Sequence, residues 1–403
     1  MPVDFALIGH QESWSAAADV VSALRGPEHA PIPDDEIQEI LPWIPPRAVC
    51  HVDARSALGA SAHGIYIDTF IPPDRLGPGF LRDNLARVRQ AAACAIREDA
   101  RIVSLGGFSS ILIEGNFDQI PQKRETVFTT GNSLTVAFIV QGILKMCALE
   151  GRALEDATLL IIGATGDVGS GCARCLAPQV RRVQLYTRNV ARLRSLRAEL
   201  ERDGALVEAA TDLGEFGAEA DIVICAASLA SPSLLLDRVA TDAILCDAGY
   251  PKNLAPSAAL PDARVFFGGL GQFCGGLSFQ PDLDGVLNRH PFPDVVHGCL
   301  LEGMVLALER RFEPFSQGRG FITPERVAEI EAIAERHGIV LAPFYNRAGP
   351  LENASAAHLF PRCASNRLEN APSRSLHRAN QKIRNECDLS ADAPLAFSSP
   401  HPC

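Results

Sequence analysis

Thr158-Leu-Leu-Ile-Ile-Gly163-Ala-Thr165-Gly166-Asp167-Val168-Gly169, followed after a helix-length gap by Val183-Gln-Leu-Tyr-Thr187, decides the fold. The unbroken apolar run ending in glycine has the pattern of a strand buried on both faces, and the glycine spacing fits a tight turn that opens a helix. The three glycines answer three separate needs, since the turn must be sharp, the backbone must approach a pyrophosphate, and the helix must pack closely on its sheet. The free N–H groups and positive dipole end of that helix then face the phosphates. Further buried strands at Asp221 to Cys225, Ala243 to Asp247 and Arg264 to Phe267 extend the alternation into a doubly wound parallel sheet of Rossmann type. At the end of the second strand, Thr187-Arg188-Asn189 with Arg192 one turn on offers guanidinium groups and no acid. A 2′-phosphate is welcome there and a carboxylate would repel it, so NADPH is the expected cofactor. Its expected ligands are Gly163, Thr165, Gly166, Asp167, Val168, Gly169, Thr187, Arg188 and Asn189.

Upstream, residues 1–130 mix short apolar strands with a helix from Phe80 to Glu98, whose apolar positions Leu81, Leu85, Val88 and Ala92 recur at helical spacing. We expect an α/β substrate domain of its own. In Phe128-Thr-Thr-Gly-Asn-Ser-Leu-Thr135, any of Thr130, Asn132 and Ser133 can cap a long helix running to about Glu150. Residues 131–285 then form the nucleotide domain. Residues 286–346 form closing helices, from Asp294 to Arg311 and from Pro324 to His337. Residues 347–403, polar and without periodicity, are expected to be a disordered tail.

The chain has 403 residues, 47% hydrophobic and 21% charged, enough for two cores. A net charge of -11 argues against nucleic acid, which selects basic faces. Two arginine clusters, Arg82 to Arg101 and Arg181 to Arg197, leave room for a local basic docking face or for two ordinary solvated faces. The 12 cysteines are scattered, so a disulfide framework is not expected. Cys172 and Cys175 fall inside a helix and are read as packing thiols; no metal is expected. No uninterrupted apolar stretch reaches the roughly 18 residues of a membrane span, and Met1 to His10 lacks the pattern of an export signal, which places the chain in the cytoplasm as an expectation.

A hydride donor needs an electrophile nearby. Asp294-Val-Val-His-Gly-Cys299-Leu-Leu-Glu302 puts a cysteine in the first turns of a helix, where a lowered pKa is expected to favour thiolate. On a continuous helix His297 points away from Cys299, whereas Glu302 falls one turn along on the same side. Lys252, with Tyr250 and Asn253, follows a sheet strand at the carboxyl edge, where open α/β folds bind ligands. Cys299, Glu302 and Lys252 are thus the catalytic candidates, and Tyr250 and Asn253 cofactor candidates. The loops holding Ser104, Gly106 and Phe108, and Thr130 and Asn132, are the substrate-binding candidates.

Several blocks carry a resemblance. Phe5-Ala-Leu-Ile-Gly-His10, Gly64-Ile-Tyr66, Ser104-Leu-Gly-Gly-Phe-Ser-Ser110, Glu114-Gly-Asn-Phe117, Phe128-Thr-Thr-Gly-Asn132, Gly163-Ala-Thr-Gly-Asp-Val-Gly-Ser170, Gly249-Tyr-Pro-Lys-Asn-Leu254 and Arg336-His-Gly338 occur in order between residue 5 and about residue 345. Their order and spacing resemble those of the long-chain acyl-[acyl-carrier-protein] reductases best known from cyanobacteria. The resemblance implies a two-domain NADPH-dependent reductase that takes an acyl group from acyl carrier protein onto a cysteine and releases a fatty aldehyde. It places that nucleophile at Cys299, in a segment ending Phe315-Ser316-x-Gly-Arg319, and it implies an aldehyde-consuming oxygenase as a downstream partner. Coenzyme A thioesters are a further substrate to consider. Leu270 to Asp284 and the tail depart from the family pattern, which leaves chain-length preference open. Two other readings stay open from the residues: an NADP-dependent dehydrogenase of the shikimate-dehydrogenase type, and an NADPH-sensing protein without turnover.

Overall fold

A computed structural model describes residues 3–76, 78–213, 219–227, 239, 242–250, 252–254, 264–318, 320 and 322–351. The first sheet is built from β1 (Phe5–Gly9), β2 (Arg47–Arg55), β3 (Ser61–Asp68), β4 (Ile102–Leu105) and β5 (Val127–Thr129). β1 is buried along its whole length because it runs parallel between β3 and β4, with Phe5 opposite both Gly64 and Ile102. Gly64 is required by that pairing, since a Cβ there would sit 2.3 Å from the Phe5 ring. Helices α1 (Trp14–Arg25), α2 (Asp34–Ile40), α3 (Leu81–Arg97) and α4 (Phe108–Ile113) surround the sheet. α3 matches the sequence expectation in extent, but its buried face is Asn84, Val88, Ala91, Ala92, Cys94 and Ala95, and Leu81 is 48% exposed. The functional consequence is geometric: the carboxyl ends of β1 and β4 deliver His10 and Gly106-Gly107 to one edge.

α5 (Asn132–Glu150) leads into the second sheet, made of β6 (Thr158–Ile162), β7 (Arg182–Tyr186), β8 (Val207–Ala210), β9 (Ile222–Cys225), β10 (Ile244–Asp247) and β11 (Val265–Phe267), with α6 (Asp167–Leu176) and α7 (Val190–Arg202) between its early strands. All neighbours are parallel, and by first appearance the order across the sheet is 3-2-1-4-5-6, as doubly wound dinucleotide folds require. β6 is fully buried at its centre, which explains its unbroken apolar run. β8 was not foreseen from the sequence: Val207-Glu-Ala-Ala210 is short and lacks clean alternation. α5 is long and apolar enough by composition to cross a bilayer, but most of it is buried; it packs against α6 and against the helices Gly298–Leu308 and Pro324–Arg336, and is a core helix.

The remaining elements are β12 (Leu270–Phe273), β13 (Leu277–Gln280), α8 (Asp284–Leu287), β14 (Val295–His297), α9 (Gly298–Leu308), α10 (Pro324–Arg336) and β15 (Ile339–Leu341). β12 lies antiparallel between β14 and β15. β13, which the sequence boundaries assigned to the nucleotide domain, instead pairs antiparallel with β2 on the edge of the first sheet.

Three expectations are corrected. The helix expected from Asp294 begins at Gly298, because Asp294 has φ 55° and the β-branched pair Val295-Val296 joins a sheet. Residues 347–350, expected to belong to a tail, lie in a small hairpin in which Tyr345–Asn346 and Gly349–Pro350 pair, and the rest of that expectation, residues 352–403, lies outside the described residues. Several arginines of the two clusters are committed internally. Arg87 donates to the carbonyls of Ile44, Thr69, Phe70 and Pro42; Arg101 stacks 3.4 Å over Phe312; Arg182 pairs with Glu208 and Glu219.

Candidate active site

The starting point is the second residue of α9. Cys299 is 8% exposed, and its sulfur accepts the Gly107 N–H at 3.3 Å. Three close approaches hold that geometry. A Cβ on Gly106 would meet Leu300 Cδ2 at 2.4 Å, one on Gly107 would meet Tyr250 Cε1 at 2.9 Å, and one on Gly131 would meet the Cys299 carbonyl oxygen at 2.1 Å. The carboxyl edge of the first sheet, the start of α5 and the start of α9 thus converge on one thiol.

That thiol and the glycine loop face the same cleft. Its walls include Gly107, Ser110, Glu114, Asn132, Thr135, Gly166, Asp167, Val168, Tyr250, Lys252, Gly268, Gly269, His297 and Cys299. The three loop glycines divide their work. A Cβ on Gly163 would meet Ala226 at 2.7 Å and one on Gly169 would meet the Gly163 carbonyl at 2.3 Å, so both serve packing. At Gly166 the nearest atom would be 3.5 Å away, which leaves an open cradle at the N-terminus of α6. A dinucleotide pyrophosphate fits that cradle. Thr165 and Thr187 bond through their hydroxyls at 2.9 Å and tie the loop to the end of β7. Beyond them Arg188 is exposed and makes no ion pair with the described residues, whereas Asn189 caps α7 by accepting the Arg192 N–H.

The environment of the sulfur overturns one expectation. Burial pushes the Cys299 thiol up to about 11, and the N–H groups of Gly107, Leu300 and Cys299 itself offset this only in part. Desolvation of a thiolate outweighs the helix end. Alkylation of the resting enzyme by iodoacetamide should therefore accelerate about tenfold per pH unit between about pH 7 and 9, following the thiolate fraction. A rate already level at pH 7 would mean that the resting sulfur is ionised.

His297, which the sequence pointed away from Cys299, and His10, which it did not single out, stand at this site. The His10 ring accepts the Phe108 N–H at Nε2 and faces the Gln11 carbonyl with Nδ1, so both nitrogens are engaged by backbone and its pKa is lowered by burial. His297 precedes α9 instead of lying on it, which removes the reason for pointing it away from Cys299. It lines the cleft, its ring is edge-on to Tyr250 at 5.7 Å, and burial, with Lys252 and His10, holds its pKa down to about 3. The imidazole is therefore neutral at pH 7. The Tyr250 phenol is held protonated by burial and by nearby Glu12. Lys252 lines the cleft and its ammonium sits 4.7 Å over the Phe267 ring.

Other candidates prove to be supports. Glu302 is fully buried and is not among the cleft residues; its carboxylate accepts from Thr129 Oγ1, the Leu134 N–H and Ser316 Oγ, pinning α9 to the start of α5. Asn253 commits both amide atoms to the Ala227 backbone, at 2.9 Å each, and braces the loop after β10. Ser104 donates to the Leu300 carbonyl and accepts the Gly303 N–H, fixing α9. Phe108 belongs to the apolar core under the first sheet, and Thr130 is buried with its N–H on the Ser316 carbonyl. Of the substrate candidates named singly Asn132 reaches the cleft, where its amide lies 3.5 Å from Asp167, and the loop from Ser104 to Ser110 enters it through Gly107 and Ser110. Glu114 and Thr135 line the cleft without having been foreseen.

Comparison with known proteins settles the family. Over 347 residues, 83% of this chain and 97% of the other protein, the sequence is 33% identical to a long-chain acyl-[acyl-carrier-protein] reductase of Synechococcus elongatus. The chain belongs to the long-chain acyl-[acyl-carrier-protein] reductase family. It is an oxidoreductase. The reductase also matches the family model for shikimate / quinate 5-dehydrogenase at residues 146–267, the nucleotide-binding segment from late α5 to β11. It is 25% identical over 256 residues to the aminotransferase PigE of a Serratia species, spanning 29% of that protein. Among solved structures it is similar to L-tryptophan dehydrogenase from Nostoc punctiforme, with 11% identity, 96% of this chain and 90% of that chain covered, and a TM-score of 0.35.

Proposed function

We propose that this reductase takes a long-chain acyl group from acyl carrier protein onto Cys299 and releases it as the free aldehyde, with NADPH as reductant. The observation that carries this reading is that Cys299 and Gly166 line the same cleft. The other elements of the reading follow from the residues around that cleft.

The first half-reaction exchanges one thioester for another, which is near thermoneutral and needs a thiolate. The Cys299 proton must leave as the bond to the acyl carbon forms, and the departing carrier sulfur takes up a proton in its place. The Gly107 N–H and the first turn of α9 then stabilise negative charge on Cys299. When bound, NADPH would be held through Gly166, Asp167 and Val168, with Arg188 at the 2′-phosphate end, and would supply the hydride. Reduction of the acyl carbonyl leaves a thiohemiacetal anion on Cys299, which collapses to aldehyde and thiolate, and the thiolate takes one proton from solvent. Low exposure of the sulfur keeps water from the acyl-enzyme. An apolar chain needs an apolar path, and Ile111 supplies apolar wall to the cleft. A cytoplasmic location and an aldehyde-consuming oxygenase partner complete the reading.

Incubation with labelled acyl carrier protein without reductant, then peptide mass spectrometry, tests it. The label is expected on the peptide containing Cys299, released as aldehyde on adding NADPH. Aldehyde formation with no label on that peptide would sink the acyl-enzyme and favour direct reduction of the carrier thioester.

A further inference from the structure

Glu114 begins the Glu-Gly-Asn-Phe block, and nothing in the acyl chemistry uses it. It caps the C-terminus of α4, lines the dinucleotide cleft, and has a side chain only 17% exposed. Its Oε1 lies 3.5 Å from the guanidinium of Arg192, which projects from the first turn of α7. α7 follows directly from Thr187-Arg188-Asn189, where a 2′-phosphate would lodge. One of the two arginines available for that phosphate is thus already held by a carboxylate of the cleft.

We propose that Glu114 is an internal competitor for the cofactor's 2′-phosphate: it holds Arg192 in the empty enzyme, yields it when NADPH binds, and takes it back as NADP+ leaves. The proposal rests on the dinucleotide reading of the cleft. The physical basis is simple exchange. A phosphate of nearly two charges outcompetes one carboxylate for a guanidinium, because it offers more acceptor oxygens in the same fork geometry. That exchange weakens binding of the phosphorylated cofactor and does not touch NADH, whose ribose carries no phosphate. The gain is in turnover: an enzyme whose reductant and oxidised product share one phosphate handle releases product faster when a built-in anion competes for that handle.

A double-mutant cycle decides the matter, with NADPH, NADP+ and NADH titrated against wild type, Glu114→Gln, Arg192→Gln and the double variant. A half-exposed pair of this kind should make Glu114→Gln bind NADPH and NADP+ about two- to fivefold more tightly. NADH affinity should stay unchanged, and NADP+ dissociation in stopped flow should slow by the same factor. In the Arg192→Gln background the second substitution should do nothing. Glu114→Asp, whose shorter side chain falls short of Arg192, should move affinity in the same direction as Glu114→Gln. Equal tightening of NADH, or tightening that persists without Arg192, would overturn the competition and leave a general charge effect. Arg188→Glu separates the two levels of argument. If it weakens NADPH while Glu114→Gln changes nothing, the competitor proposal fails and the cofactor reading stands; if wild type binds no NADPH, both fail.

Discussion

Cys299→Ala should abolish aldehyde formation, by roughly three orders of magnitude or more, while NADPH affinity stays within a few-fold of wild type. The size follows from the proposed role: the sulfur would form the covalent bond that splits the reaction in two, and no other cysteine among the cleft residues can replace it. The selectivity follows from position. Cys299 reaches the cleft from α9, whereas the phosphate cradle is formed by Gly166 and the start of α6, on a different sheet edge. Removing one sulfur leaves a small void at the head of α9 and does not disturb Glu302 or Ser104, which anchor that helix by hydrogen bonds of their own. Measuring turnover with acyl carrier protein alongside NADPH titration checks both halves. Joint loss of both would make the cysteine a structural residue and leave the nucleophile to be found elsewhere.

What the sequence revealed and what it hid divide along a physical line. The strand, glycine loop and helix around Gly163 to Gly169 were legible because every cause is local: an apolar run buried on both faces, a turn that needs glycine, a helix that begins at once. Arg188 and the absence of an acid after β7 were legible for the same reason. The start of α9 was not, because Val295 and Val296 fit either a helix or a strand and only pairing with Gly271 and Gln272 decides it. That one displacement also misplaced His297. The state of Cys299 was hidden more deeply: helix position lowers a thiol pKa and burial raises it, and burial here is imposed by Gly106, Gly107 and Gly131, distant in sequence. Glu302, Ser104 and Asn253 were expected to be catalytic, substrate-binding and cofactor-binding residues, but their partners lie 168, 199 and 26 residues away, and only those partners reveal braces. The family resemblance supplied what local pattern could not, the choice of one thiol among 12.

Gly131→Ala should lower the rate of Cys299 acylation by about a hundredfold or more without altering NADPH affinity to match. Two separate costs meet at this residue. Its φ of 69° is left-handed, which costs an alanine about 1–2 kcal/mol in any protein. The larger effect is steric: the new methyl would lie 2.1 Å from the Cys299 carbonyl oxygen and 2.4 Å from its Cα, so one helix start must move away from the other. A shift of about 1 Å at the nucleophile is enough to cost roughly 100-fold, because attack requires near-contact alignment with the thioester carbon. Gly151 provides the control that separates the costs. It has a similar φ of 64°, ends the same helix α5, and has nothing within 4 Å of its would-be Cβ. Gly151→Ala should therefore lose a comparable amount of stability from backbone strain and keep its acylation rate. Rates of label transfer to the Cys299 peptide, measured for both variants beside their denaturant midpoints, give the comparison. If Gly131→Ala acylates as fast as Gly151→Ala, the packing of α5 against α9 does not position the nucleophile.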